Sequence, residues 1–235
     1  MAIPLGIIEI RNIIKTIREN YGDDFSNYAM TSFRRRLSAF IDKKKISHIS
    51  ELLEMLRSVS LYEEFLYNLA VEDTEMFRDP GMWQILKTKV LPELCKNQCT
   101  IWMAGSNSGE ELYSLLILLY ENNLMDRTHV ICSNFSQKAV DQIANGEIST
   151  KKIEPSQANY KRFGGLSSFD DYFTIKSKQH IFQKDLLAHV NFKILSLMRD
   201  NLPETDLLIY RNQMLYFNRV LQHQVLENLH GSVNH

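Results

Sequence analysis

TIWMAGSNSGEELYSLLILLY, Thr100–Tyr120, decides the fold class. The apolar run Ile101–Ala104 predicts a buried strand, Gly105–Gly109 a turn, and Glu110-Glu111 the start of a strongly apolar helix. A strand, a glycine turn and a helix bring bare backbone against a nucleotide-like ligand, because glycine removes the side chain that would block approach. Downstream the alternation continues. Strand His129–Ser133 leads to helix Gln137–Asn145, which ends at Gly146, and strand Asp206–Tyr210 leads to helix Arg219–Leu229. Alternation of this kind predicts an α/β domain with a parallel sheet covered by helices. Residues 146–180 break it, with Gly164-Gly165 and the aromatic run from Phe169 to Thr174, and read as an inserted small β subdomain.

Upstream the periodicity is helical. Ile7, Ile10, Ile14 and Ile17 share one face, and Tyr21-Gly22-Asp23-Asp24 stops that helix. Tyr28–Lys44 predicts a second helix with Phe33, Leu37, Phe40 and Ile41 inward. A third is expected to open with Ser50 as its cap, and a fourth covers Leu61–Leu69. The division is therefore a helical N-terminal domain over 1–80 and an α/β domain over 81–235, entered through a linker helix, Met82–Leu94.

Composition narrows the function classes. The 235 residues are 44% hydrophobic and 23% charged, as expected of a folded globular chain. A formal net charge of -1 gives no global field to hold nucleic acid or an anionic membrane. Cys95, Cys99 and Cys132 are too few and too clustered for a disulfide framework, which predicts a reducing compartment. No His/Cys set completes a metal site around them. The N-terminus lacks a basic n-region and a cleavage site, and the longest apolar run is too short to span a bilayer. The expectation is a cytoplasmic monomer with no metal, no nucleic acid and no membrane segment.

Four clusters can carry chemistry, and each has a bland alternative. The glycine turn is followed by two acids where a phosphate loop would place Lys, which suits a neutral or cationic ligand bearing ribose hydroxyls; S-adenosylmethionine fits. Glu111 can accept both hydroxyls, or sit in the first helical turn where the dipole favours an acid. Asn134, ending the second strand, stands where cofactor proteins contact the nucleoside, or serves as a turn residue. Glu72–Pro80 reads as a helix terminus stopped by Pro80, with Arg78 paired to a carboxylate, or as part of a pocket. Tyr210-Arg211-Asn212, continuing to Tyr216-Phe217, leaves a strand at the edge where open α/β sheets bind ligands.

In order, TEMFRDP, AGSNSGEELYS and YRNQMLYFN resemble the CheR family of chemotaxis receptor methyltransferases, over about Tyr28 to Leu229. The resemblance implies an all-helical N-terminal domain, an S-adenosylmethionine domain with a small β insert, and methyl esterification of receptor glutamates with S-adenosylhomocysteine as product. It implies that Thr74 and Arg78 meet the cofactor's methionine end, with Arg78 beside the transferring methyl group. Gly105 would belong to the cradle and Glu111 would take the ribose. Arg211 and Asn212 would line the pocket, with Tyr216 near the reaction centre. Glu72, Asn134, Ser196 and Leu197 occupy cofactor-site positions, but the family usually has Asn at 72, Asp at 134 and Asn-Leu at 196–197. The resemblance also implies two further strands after Leu229, where the sequence stops at His235.

Arg34-Arg35-Arg36 and Lys43–Lys45 give the second helix a positive face. The lysines read as a solvated C-terminal turn, while the resemblance implies that Arg34–Arg36 dock on the acidic cytoplasmic helices of a chemoreceptor. Two other readings stand beside the enzyme: a degenerate relative that binds receptor or cofactor without catalysis, and a methyltransferase for small molecules or nucleic acid sharing only the cofactor domain.

Overall fold

The computed structural model describes residues 5–70, 74–176 and 179–234. The chain divides into two compact units, one of residues 1–71 with 211–228 and the other of 72–210 with 229–235.

The first unit is helical: α1 (Ile7–Tyr21), α2 (Met30–Lys44), α3 (Ile49–Met55) and α4 (Val59–Ala70). Ile10, Ile13 and Ile17 of α1 are buried with Phe33, Leu37 and Phe40 of α2 and with Leu52 and Phe65. Of the stripe read from the sequence, Ile10, Ile14 and Ile17 lie in this core, whereas Ile7, the first residue of the helix, is exposed. Two expected boundaries move. The second helix starts at Met30 rather than Tyr28, because Tyr28 is drawn into an antiparallel bridge with Phe217. Ser50 does not cap α3; the cap position is His48. Glu51 instead reaches back, its carboxylate accepting the Ser47 N–H at 3.0 Å.

The second unit opens with α5 (Pro80–Ile85), a π-helical stretch at Leu86–Val90 and α6 (Leu91–Leu94). Pro80 therefore starts a helix rather than ending one, as the missing proline N–H allows at a first turn. Then follow β1 (Cys99–Met103), α7 (Glu110–Glu121), β2 (Thr128–Asn134), α8 (Gln137–Asn145), β3 (Glu147–Ile148), α9 (Thr150–Phe163), β4 (Phe173–Lys176), β5 (Gln179–Phe182), α10 (Lys184–Leu187), β6 (Val190–Ile194) and β7 (Leu207–Ile209). The last helix, α11 (Arg219–His230), runs from one unit into the other.

The main sheet has order β6-β2-β1-β7, and every pairing in it is parallel. From β1 the chain adds β2 and β6 on one side and then returns to place β7 on the other, so the strand order reverses between β1 and β7, the topological switch point of a doubly wound sheet. Nine residues of α7 are buried, and Leu112 and Leu115–Leu119 share one core with Ile101, Met103 and Cys132 of the sheet. Beside β7, Thr205 forms a parallel bridge to Val233. A second sheet, β3-β5-β4, is antiparallel.

The expected small β insert is present, but residues 146–180 also hold the fourteen-residue α9. Its inward face, Ser156, Asn159, Tyr160 and Phe163, has helical spacing. Half of that face is polar and Pro155 interrupts it, so the apolar stripe that reveals a helix is missing. Strand β6 was likewise hidden: it is an edge strand, with Asn191 and Ile194 exposed.

The cysteine reading is corrected. Cys95 and Cys99 are joined as a disulfide. The turn between α6 and β1 brings their Cα atoms to 5.3 Å, well inside bonding range despite the short separation. Cys132 is buried, and burial pushes its thiol up to about 12.

Candidate functional site

The carboxyl ends of β1, β2 and β6 converge around the glycine turn. Gly105 and Gly109 take left-handed φ values of 62° and 91°, conformations costly for any residue with a Cβ. At Gly109 a Cβ would also collide with the Tyr113 hydroxyl and ring. Ser106 N–H donates to the Ser133 carbonyl at 3.0 Å, pinning the loop against the end of β2.

Asn134 completes that fastening. Its Nδ2 donates to the Ser106 carbonyl at 2.7 Å and to Asn107 Oδ1 at 3.1 Å, while its Oδ1 accepts the Ser136 N–H at 2.9 Å. An acceptor faces the amide nitrogen and a donor faces the oxygen, so the amide orientation is fixed. Asn134 is fully buried and ties the loop to the start of α8. Its carbonyl also accepts the Leu195 N–H at 3.0 Å, which brings the Leu195–Leu197 turn beside it. Within that turn Ser196 N–H donates to Asp200 Oδ2 at 2.7 Å. Leu197 and Ser196 are half-buried, as is Glu111 in the first turn of α7.

Glu110, which the sequence reading passed over, is the buried acid. Only 2% exposed, it pairs with Lys152 Nζ at 2.7 Å and accepts from the Ser108 hydroxyl. Burial raises its carboxyl pKa, and Lys152 and Ser108 oppose that rise. The pair fastens the glycine turn to α9.

The same helix holds the segment from Thr74 to Arg78. Ser156 Oγ accepts the Met76 N–H at 3.0 Å and Asn159 Nδ2 donates to the Met76 carbonyl at 3.1 Å, so both backbone groups of Met76 end on α9. Phe77 has a left-handed φ of 53°. Its N–H donates to Ser114 Oγ at 2.8 Å, and its ring stacks on Phe163 with centroids 4.7 Å apart. The Arg78 carbonyl accepts from Trp83 Nε1 at 3.0 Å, which leaves the half-buried Arg78 side chain on an anchored backbone. Thr74 Oγ1 is buried and has no hydrogen-bond partner among the described residues. A buried hydroxyl left unsatisfied costs about 1–3 kcal/mol. Glu72 lies outside the described residues.

In the helical unit, Arg211, Asn212 and the turn Met214–Tyr216 follow β7. Asn212 has a left-handed φ of 60°. Ala29 N–H donates to the Tyr216 carbonyl at 2.7 Å, Asn218 N–H to the Asn27 carbonyl at 2.9 Å, and Gln222 Nε2 to the Met214 carbonyl at 2.9 Å. The turn is thereby clamped between the start of α2 and α11. The three arginines of α2 part company here. Arg34 and Arg35 are exposed, whereas Arg36 is half-buried, its guanidinium carbon 4.2 Å from the centroid of the Tyr216 ring. Arg36 also donates to the Leu69 carbonyl. Arg36 thus differs from its two neighbours in having its guanidinium engaged within the helical unit.

Among the described residues no group of His, Cys, Asp and Glu can hold a metal. No described helix is long and apolar enough to cross a membrane.

A parallel sheet with a glycine turn at its switch point, and an acid in place of a phosphate-loop lysine, define a Rossmann-like domain. Residues 72–235 match the CheR methyltransferase SAM-binding domain, and residues 8–69 the CheR methyltransferase all-alpha domain. The chain belongs to the CheR methyltransferase family, and S-adenosylmethionine is its cofactor. A Pseudomonas putida protein named Cher3 is 32% identical over 231 residues, spanning 97% of this chain and 85% of its own. A chemotaxis protein methyltransferase 1 of Pseudomonas aeruginosa is 28% identical over 214 residues (84% and 75%). One from Listeria innocua is 23% identical over 224 residues (93% and 82%).

Proposed function

We propose that this chain transfers the methyl group of S-adenosylmethionine to glutamate side chains on the cytoplasmic helices of a chemoreceptor. The observation that carries the reading is the orphaned Thr74 hydroxyl, on a segment whose backbone is anchored by Ser156, Asn159 and Ser114. The cofactor supplies a sulfonium-activated methyl. The acceptor carboxylate is already ionised, so the residues that would hold the cofactor need remove no proton. The protein's task is alignment rather than activation of a nucleophile.

In this reading Thr74 and Arg78 hold the methionine end, Gly105 admits the cofactor, Glu111 takes the ribose hydroxyls, and Leu197 and Ser196 flank the nucleoside. Arg211 and Asn212 line the pocket, and Tyr216 orients the incoming carboxylate through its phenol. Arg34 and Arg35, both exposed, steer the acidic receptor helix. The enzyme acts as a cytoplasmic monomer.

Calorimetry with S-adenosylmethionine and S-adenosylhomocysteine, followed by transfer of labelled methyl to a receptor cytoplasmic fragment, tests this. Saturable binding and base-labile label on glutamate are expected. Binding without transfer would favour the non-catalytic module, and absence of binding up to millimolar cofactor would refute the enzyme.

A further inference from the structure

We propose that Arg36 is a positioning residue for Tyr216 rather than part of the receptor-docking surface. The proposal rests on the reading above, in which Tyr216 orients the substrate carboxylate. Tyr216 sits on a short turn whose backbone is fixed by Ala29 and by Gln222, but those bonds leave the ring's own torsions open. The Arg36 guanidinium lies over the ring face at 4.2 Å and closes one side of it. Arg36 is in turn held by its donation to the Leu69 carbonyl at the end of α4. The phenol therefore inherits its direction from a guanidinium rooted in the helical core. A cation over an aromatic face is attracted by the ring's quadrupole, which favours the ring orientation that keeps the face under the guanidinium. Arginine suits the task, because its plane can stack while its edge still donates. Arg34 and Arg35, on the same helix, are exposed. One basic run thus serves two ends.

The test separates contact from role. With ring-labelled tyrosine, the Tyr216 NMR signal is assigned from Tyr216→Phe. Arg36→Gln should shift that signal and Arg34→Gln should not; an unmoved signal in Arg36→Gln overturns the contact. Steady-state methylation of the receptor fragment then reads the role. Arg36→Gln should lower kcat about tenfold with the fragment's KM within about twofold, as expected when a transition-state alignment is lost. Arg36→Lys should recover part of kcat, and it also serves if the Gln variant does not fold. A raised KM at unchanged kcat would make Arg36 a docking residue and overturn the proposal. If the ring signal shifts but the wild type methylates nothing, the contact stands and the failure lies in the proposed function.

Discussion

Asp in place of Asn134 restores the residue usual in the family, yet here it should damage the protein. The amide Nδ2 donates to the Ser106 carbonyl and to Asn107 Oδ1, at 2.7 and 3.1 Å. A carboxylate would present an acceptor to two acceptors inside a site that excludes solvent. An uncompensated buried charge of this kind costs about 3–5 kcal/mol. For the unit containing the sheet, that is a fall in melting temperature of roughly 6–20 °C at about 2–4 °C per kcal/mol. The loop that loses its tie is the cofactor turn, so S-adenosylhomocysteine should bind at least about tenfold more weakly, the equivalent of 1.4 kcal/mol. The loss should depend on pH. Burial raises the folded-state pKa of the new carboxyl above its unfolded value of about 3.9. The deficit is therefore smallest below that value and grows as pH rises through the folded one. Denaturation of Asn134→Asp and wild type from pH 4 to pH 8, with calorimetry at pH 7.5, measures both effects. A variant as stable as wild type that binds the cofactor equally or more tightly would refute the reasoning, because the carboxylate would then be acting as a ligand.

Thr74→Val keeps the shape and removes the orphaned hydroxyl, so it should weaken cofactor binding about 5–30-fold by calorimetry while leaving stability unchanged or higher. The reverse pattern would mean that the hydroxyl serves the fold. Ser114→Ala leaves the Phe77 N–H without its acceptor and should cost about 1–3 kcal/mol in chemical denaturation. Asp206 is held below the usual carboxylate range by donation from Asn234 and from the Thr100 N–H. Its contribution is present above the unfolded pKa and is lost as pH falls through the folded value. Asp206→Asn should flatten the acid limb of the stability profile. Thiol titration of the native, unreduced protein should find no fast-reacting cysteine, since Cys95 and Cys99 are joined and Cys132 is buried; two reactive thiols would exclude the disulfide.

The fold was legible in the sequence wherever one periodicity ran alone. Ile101–Ala104 with its glycine turn and the apolar α7 gave the Rossmann-like half, and the isoleucines of α1 gave the helical half. The site was legible in type but not in support. Asn134 was visible as a strand-end residue, but whether its amide faced ligand or loop depended on Ser106, Asn107 and Ser136 closing around it. Lys152, Ser156 and Asn159 escaped notice because buried polar residues on α9 imitate a solvated face. Their partners, Glu110 and the backbone of Met76, are far away in sequence. Arg36 was hidden by its neighbours: three consecutive arginines look alike until the helix turns one of them towards Tyr216.

Helix α9 carries a lesson for anyone grafting parts between such enzymes. Helix α8 ends at Gly146, and an exchange of the β insert would ordinarily be cut there. The helix that follows nevertheless supplies Lys152 to Glu110 and both partners of Met76. A chimaera that replaces 146–180 as a block therefore discards the struts of its own cofactor site. A graft begun after Gly164 keeps that helix with the host, and its incoming strand must still pair with the host's β3.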